Sequence, residues 1–293
     1  MPAIETTISA VLAERARQQP DAPAYTFIDY DVDPAGSSRC LTWSQVHQRA
    51  QVVAAELTSC GLPGDRVAIL APQGFEYIVG FFGAVQAGFI PVPLSPPQFG
   101  GVRVAAALRD CSPAALLTTS AVVNGIDSLA DALPGSPPAV IEVDALDLHT
   151  PPADPPTDTS QTTTALLQYT SGSTRQPIGV IVTHQNIFAN VEQVLSDHFE
   201  EYGKIPPPDT TLLSWLPFYH DMGLLLGVVG PVLTGLSAVL TSPIAFLQKP
   251  ARWMQLLASA PRPFSAGPNF AFELAVRRTS DDDMAGLDLG HVF

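Results

Sequence analysis

Tyr169-Thr170-Ser171-Gly172-Ser173-Thr174-Arg175-Gln176-Pro177-Ile178-Gly179 joins two apolar segments. The first, Ala165-Leu166-Leu167-Gln168, reads as a buried strand, and the second, Gly179-Val180-Ile181-Val182, as its partner. Thr170, Ser171, Ser173 and Thr174 line the turn with hydroxyls, and Arg175 gives it a cationic tip. Glycine lets backbone N–H groups approach a ligand closely and hydroxyls add donors, so the loop suits a polyphosphate. The alternative is a solvated hairpin, because the same residue types dominate ordinary turns. Buried-looking strands on both sides and a cation at the tip favour the phosphate reading.

Outward from this stretch, helical and strand patterns alternate. Ile4, Ile8, Val11 and Leu12 open an amphipathic helix, and Ala24–Ile28 follows as a strand. Ser44 is the expected N-cap of a helix burying Val46, Ala50, Val53, Ala54 and Leu57, with Gly61 beyond its end. A strand at 66–70, a helix at 75–87 and a strand near 89–94 come next. The pattern continues through 104–108, 115–119, 122–133 and 139–143. Such alternation predicts an α/β fold with mixed, mostly parallel sheets flanked by helices in layered subdomains. A proline-rich tract, residues 149–163, interrupts it and reads as an exposed connector between subdomains at 1–148 and 164–293. Beyond the connector, helices are expected near 185–199, 222–229, 251–259 and 269–278, with strands at 212–216 and 237–241.

Hydrophobic residues make up 46% of the chain and charged residues 14%, which argues against disorder. A formal charge of −14 argues against a nucleic-acid partner, since phosphate binding draws on Lys and Arg in excess. Cys40, Cys60 and Cys111 are odd in number and far apart, so neither a disulfide framework nor a zinc site is expected, and a reducing cytoplasm is the simpler compartment. Residues 77–94 and 222–248 carry no charge and are long enough to be weighed as membrane spans. Glycines and prolines punctuate both, so each reads better as a buried helix, a glycine stop and a buried strand, and no transmembrane span is expected.

Both common nucleotide motifs fail. A Walker loop ends in Gly-Lys before Ser or Thr, and neither Lys204 nor Lys249 stands in such a context. No Gly-x-Gly-x-x-Gly fingerprint occurs either. Tyr-Thr-Ser-Gly-Ser-Thr-x-x-Pro-x-Gly does resemble the phosphate-binding signature of the adenylate-forming enzymes, the superfamily of acyl-CoA synthetases and nonribosomal adenylation domains. Most members carry Gly where Arg175 stands and Lys where Ile178 stands. The Ser-Thr-Arg-x-Pro-x-Gly form is similar to the fatty acyl-AMP ligases of lipid and polyketide assembly. The resemblance extends over nearly the whole chain, through Leu41-Thr42-Trp43-Ser44, Trp215-Leu216-Pro217-Phe218-Tyr219-His220-Asp221-Met222-Gly223 and Pro268-Asn269-Phe270-Ala271-Phe272-Glu273.

His220-Asp221 follows a strand and opens an apolar helix. An imidazole there can donate to a phosphate or carboxylate oxygen, aided by the positive end of the helix, while Asp221 is also a candidate helix cap. The resemblance implies that His220 lies where the substrate carboxylate meets the ATP phosphates. Phe264–Phe272 combines a small-residue turn with aromatics and reads first as a core helix with Phe270, Ala271 and Leu274 inward; the alternative is the wall of an apolar slot with the Asn269 amide at its mouth. The resemblance implies that Ala266, Gly267, Pro268, Asn269 and Phe270 border the acyl and adenine sites. Met222, Gly223 and Leu224 extend the same wall from the His220 turn. His184 reads as a structural helix-start residue, and Asp281-Asp282-Asp283 as a solvated capping turn rather than a metal cluster.

The resemblance implies attack of a fatty carboxylate on the α-phosphate of ATP, giving acyl-AMP and pyrophosphate. Mg²⁺ and the loop residues Thr170–Arg175, with Gly179 at their foot, would hold the β- and γ-phosphates. An acyl carrier protein or polyketide synthase is the implied acceptor. Further family motifs and a small C-terminal domain with a catalytic lysine are expected beyond residue 293, so these residues alone are expected to be inactive. The competing readings are a part of an acyl-CoA synthetase, which Arg175 and Ile178 disfavour, and a non-catalytic remnant that binds acyl chain or nucleotide weakly.

Overall fold

The computed structural model describes residues 6–96, 101–130, 133, 136–153, 162–170 and 177–292. In chain order, α1 (Ile8–Gln18) precedes the strands β1 (Pro23–Asp29) and β2 (Ser37–Thr42). Then come α2 (Trp43–Leu57), β3 (Arg66–Ile69), α3 (Phe75–Gln86), β4 (Ile90–Pro93), α4 (Gly101–Cys111), β5 (Ala115–Thr118), α5 (Asn124–Ala130) and β6 (Ala139–Glu142). After them lie β7 (Thr164–Thr170), β8 (Ile178–Thr183), α6 (His184–His198) and β9 (Thr210–Ser214). The last elements are α7 (Asp221–Leu224), α8 (Gly230–Thr234), β10 (Ser237–Thr241), α9 (Pro243–Gln248), α10 (Ala251–Ser259), β11 (Arg262–Ser265), α11 (Asn269–Arg278) and α12 (Asp281–Met284).

Two compact units emerge: Met1–Pro20 with Trp43–Ile187, and Asp21–Thr42 with Phe188–Phe293. This partition does not follow the proline-rich connector. β7 and β8 fall in the first unit although they come after the connector. β1 falls in the second because it pairs in parallel with β10, far along the chain.

The first unit holds an all-parallel sheet, β4-β3-β5-β6, and the antiparallel pair β7-β8. Apolar positions at helical spacing decide which helix faces are covered. In α2 these are Val46, Ala50, Val53, Ala54 and Leu57, as their spacing predicts. Ser44 is not the cap of this helix; it lies inside the first turn, where its N–H donates to the Pro20 carbonyl at 3.1 Å. Every residue of α3 except Glu76 is buried, and Gly88, at φ 77°, ends the helical path before β4. The first uncharged run is therefore a core helix, a glycine stop and a strand.

The second unit holds a five-stranded sheet, β11-β9-β10-β1-β2, parallel except for the β1–β2 pair. The second uncharged run forms α7, a π-helical turn (Leu225–Val229) and α8, stops at Gly235 with φ 75°, and continues as β10. Among the described residues no helix is long and apolar enough to cross a membrane. The expectation of a buried β8 is corrected. Ile178, Val180 and Ile181 are all exposed, whereas Ala165 and Leu166 of β7 are covered. Strand character was legible there because apolar and β-branched residues favour pleated backbone, but that preference does not say what covers them.

Candidate functional site

The expected residues fall into two groups, one in each unit. In the first unit, β7 and β8 run antiparallel with Thr170 opposite Ile178 and Tyr169 opposite Gly179. Thr170 is exposed at the end of its strand. Gly179 sits against the Tyr169 ring: an added β-carbon would lie 3.0 Å from Cζ. Ser171, Gly172, Ser173, Thr174 and Arg175 lie outside the described residues.

The second group collects at the carboxyl ends of the adjacent parallel strands β9 and β11, the edge where α/β sheets present their binding loops. Beyond β9 the chain turns through Pro217–His220, closed by the His220 N–H donating to the Pro217 carbonyl at 3.1 Å. His220 holds extended backbone and occupies the N-cap position of α7, with its carbonyl accepting from the Leu224 N–H at 2.8 Å. Asp221 is thus the first residue of the helix rather than its cap. Its Oδ1 contacts His220 Nδ1 and accepts from the Met222 N–H at 2.7 Å. The His220 and Asp221 side chains are 66% and 67% exposed, so the imidazole is held by its neighbour yet open to a ligand. Met222 is exposed, and Gly223 is buried directly beneath Pro217.

An aromatic platform adjoins this turn. Trp215 stacks on Phe246 at 3.8 Å between ring centroids and meets Trp253 edge-on at 6.0 Å. Trp253 Nε1 donates to Ser265 Oγ at 3.1 Å, and that hydroxyl donates to the Leu213 carbonyl at 2.7 Å, tying the platform to β9. Gly267 lies against the platform: a β-carbon there would press on Trp253 Cη2 at 3.3 Å and on Ala271 Cβ at 3.4 Å. Ala266, Gly267 and Pro268 are partly exposed, while Asn269 opens α11 at the surface. Phe270 is corrected as an inward residue: it is exposed, with its ring 6.4 Å from Trp215, while Ala271 faces inward as expected, together with Ala275. Trp215 Nε1 is buried with no hydrogen-bond partner among the described residues, an expensive state for a donor.

Chemically, this edge offers an accessible imidazole, a half-exposed apolar wall and one amide. The platform escaped sequence reading because its members are scattered from 213 to 270; the Trp215–Pro217 run was its only local signal. His184 and the aspartates behave as read. His184 is buried at the start of α6, where its Nδ1 accepts from the Ile8 N–H at 3.3 Å. Ser280 and Asp283 form a reciprocal capping box, and Lys249 Nζ lies 2.9 Å from Asp283 Oδ1. The Lys249 and Ser280 contacts hold the Asp283 carboxyl down at about 2. Among the described residues no group of three His, Cys, Asp or Glu could hold a metal ion.

A family model described as AMP-binding enzyme matches residues 12–291. The chain is 60% identical over 296 residues to the long-chain-fatty-acid–AMP ligase FadD26 of Mycobacterium marinum, covering 100% of this chain and 50% of that protein. It is 54% identical over 294 residues to a 4-hydroxyphenylalkanoate adenylyltransferase of Mycobacterium tuberculosis, covering 98% of this chain and 47% of that one. A crystal structure of a fatty acyl-adenylate ligase from Legionella pneumophila, in complex with acyl adenylate and pyrophosphate, superposes with a TM-score of 0.80. It is 29% identical, with 98% of this chain and 48% of that one covered. The chain spans about half the length of the curated relatives it matches.

Proposed function

Because the chain belongs to the AMP-binding enzyme family, we propose that it binds ATP and a fatty acid and takes part in joining them as acyl-AMP. Its α/β fold is that of the N-terminal domain of adenylate-forming enzymes. In the proposed reaction a carboxylate oxygen bonds to the α-phosphorus and the bond to pyrophosphate breaks. A carboxylate is a weak nucleophile facing a polyanion, so the work is alignment and charge neutralisation rather than proton removal.

The observation that carries this reading is the open His220 imidazole, held by Asp221 in the turn that follows β9 and Trp215. His220 steers the carboxylate, and Met222 with Ala266–Phe270 borders the acyl chain. Gly223 serves by lacking a side chain. Thr170 and the residues to Arg175 cradle the β- and γ-phosphates, with Gly179 at their foot. Mg²⁺ enters with the phosphates of ATP. Bound there, the ion would offset the negative charge of the β- and γ-phosphates.

The acceptor of the acyl group is a carrier protein or polyketide synthase, and the compartment is the cytoplasm, a reading supported by three free cysteines. An acyl-AMP product without acyl-CoA is favoured by relatives named as AMP ligases at 55–60% identity. The test uses these 293 residues and a chimera in which they replace the matching half of the Mycobacterium marinum relative. Each is incubated with ATP, Mg²⁺ and labelled fatty acid, then with CoA. Labelled acyl-AMP and no acyl-CoA from the chimera is the expected result; acyl-CoA formation, or no adenylate from the chimera, would sink the proposal.

A further inference from the structure

Tyr169 faces Gly179 across the β7–β8 pair, one step before its last pair, Thr170 opposite Ile178. The fit is close. A β-carbon at 179 would stand 3.0 Å from Tyr169 Cζ, 3.1 Å from its hydroxyl oxygen and 3.2 Å from Cε2. The ring therefore lies flat over a strand that offers no side chain there. The Tyr169 hydroxyl donates to Asp110 Oδ2 at 2.6 Å, a short charge-assisted bond. Asp110 is the penultimate residue of α4, and the end of that helix is itself fixed. Arg66 of β3 donates from Nε to the Cys111 carbonyl at 2.8 Å and from Nη2 to the Ser112 carbonyl at 3.1 Å. The base of the hairpin is thereby linked through side chains to the parallel sheet. Burial first, then the Asp110 bond, raise the Tyr169 hydroxyl well above the ordinary phenol range, so it remains a donor.

We propose that Asp110, acting through Tyr169, is a positioning residue for the phosphate loop, fixing the mouth of the β7–β8 hairpin and thereby the affinity for ATP. This rests on reading the loop as the phosphate site. The Tyr169 hydroxyl is turned to Asp110 and spends its proton there, so its part is mechanical rather than a contact with the nucleotide. It also gives Gly179 a steric reason to be glycine, independent of any close approach to a phosphate.

The sequence supplies a direct probe. Arg175 is the only lysine or arginine between Arg109 and Lys204, so between the two strands trypsin cuts at one bond and exposes Gln176 as a new N-terminus. Cleavage after the exposed Lys204 serves as internal reference. Tyr169→Phe and Asp110→Ala should each raise the rate after Arg175, relative to Lys204, about ten-fold, the lower end for losing a bond to a charged group. The double variant should add little, because the two share that bond, and Asp110→Asn, which keeps an acceptor, should stay near wild type. The Kd for ATP with Mg²⁺ should rise by a similar factor in the first two variants, with melting temperature nearly constant. An unchanged cleavage ratio would overturn the proposal, as would weaker ATP binding without any change in cleavage, which would make the hydroxyl a ligand contact. Absence of ATP binding in the wild type would instead remove the phosphate reading, and the cleavage ratio would still decide the positioning pair.

Discussion

A β-carbon on Gly223 would stand 2.0 Å from the carbonyl oxygen of Pro217 and 2.9 Å from that of Leu216. No real contact is so short, and both obstacles are backbone, so nothing can swing aside. The same Pro217 carbonyl accepts from the His220 N–H and closes the turn that presents the imidazole. Gly223→Ala should therefore force the turn open and destabilise the fold by about 3 kcal/mol, the range of overpacked cores. Denaturant unfolding of wild type and variant measures it; equal midpoints would mean the turn relaxes at little cost.

Tyr25 reaches the same region from the other side. Its buried hydroxyl donates to the Val228 carbonyl at 2.5 Å, inside the π-helical turn. A π turn takes carbonyls out of the regular i→i−4 ladder, and such turns recur at functional sites. Tyr25→Phe leaves that carbonyl without its donor and should cost about 1–2 kcal/mol. The expected reading is a lower urea midpoint with an unchanged slope, because the compactness of neither state alters.

The three thiols should differ sharply in reactivity. Cys40 is exposed, Cys60 partly so, and Cys111 buried. Burial pushes the Cys111 thiol up to about 12, with the positive charge of Arg66 pulling weakly the other way. At pH 8 a disulfide reagent should label Cys40 at once and Cys111 only when the protein unfolds. Stability follows the same sign. A folded-state value above the unfolded one of 9.0 favours folding fully below pH 9 and loses that contribution as pH climbs toward 12. Cys111→Ala should flatten this alkaline loss; an equally steep fall in that variant would place its origin elsewhere.

Much of this architecture was legible in local pattern. Gly88 stops its helix in left-handed backbone where the expected end at 87 put it, whereas the second helical run continues past the expected 229 to Gly235 before its strand begins. β11 was missed. Four residues containing Arg262 and Pro263 show no alternation, and only pairing with β9 makes them a strand. Phe270 was read as inward when it stands outside, since apolar residues at spacings of three and four define a stripe without telling which of two neighbouring stripes is covered. Asp110 carried no signal at all: its partner, Tyr169, lies 59 residues away. Of the candidate site, the His220 turn was legible because strand, turn and helix follow one another in sequence. The aromatic platform was not, being assembled from separate elements by the sheet.

His220 itself is the decisive substitution. Its side chain is two-thirds exposed and rests against the equally exposed Asp221, so removing it opens no cavity and orphans no buried group. Truncation at such a position changes stability by roughly 0.5 kcal/mol or less. If the imidazole orients the carboxylate and offsets charge as the α-phosphate is attacked, its loss should lower adenylation about a hundred-fold, the usual effect of deleting one preorganised donor. Assayed in the chimera with fatty acid and ATP, His220→Ala should show that drop with an unchanged melting temperature. Asp221→Asn, which removes the charge beside Nδ1 but keeps a polar neighbour, should fall between the two. Because the loss would be in transition-state stabilisation, kcat/KM should fall far more than ATP affinity. Wild-type rates in His220→Ala would remove the imidazole from the reaction and leave the aromatic wall as the only chemistry at this edge of the sheet.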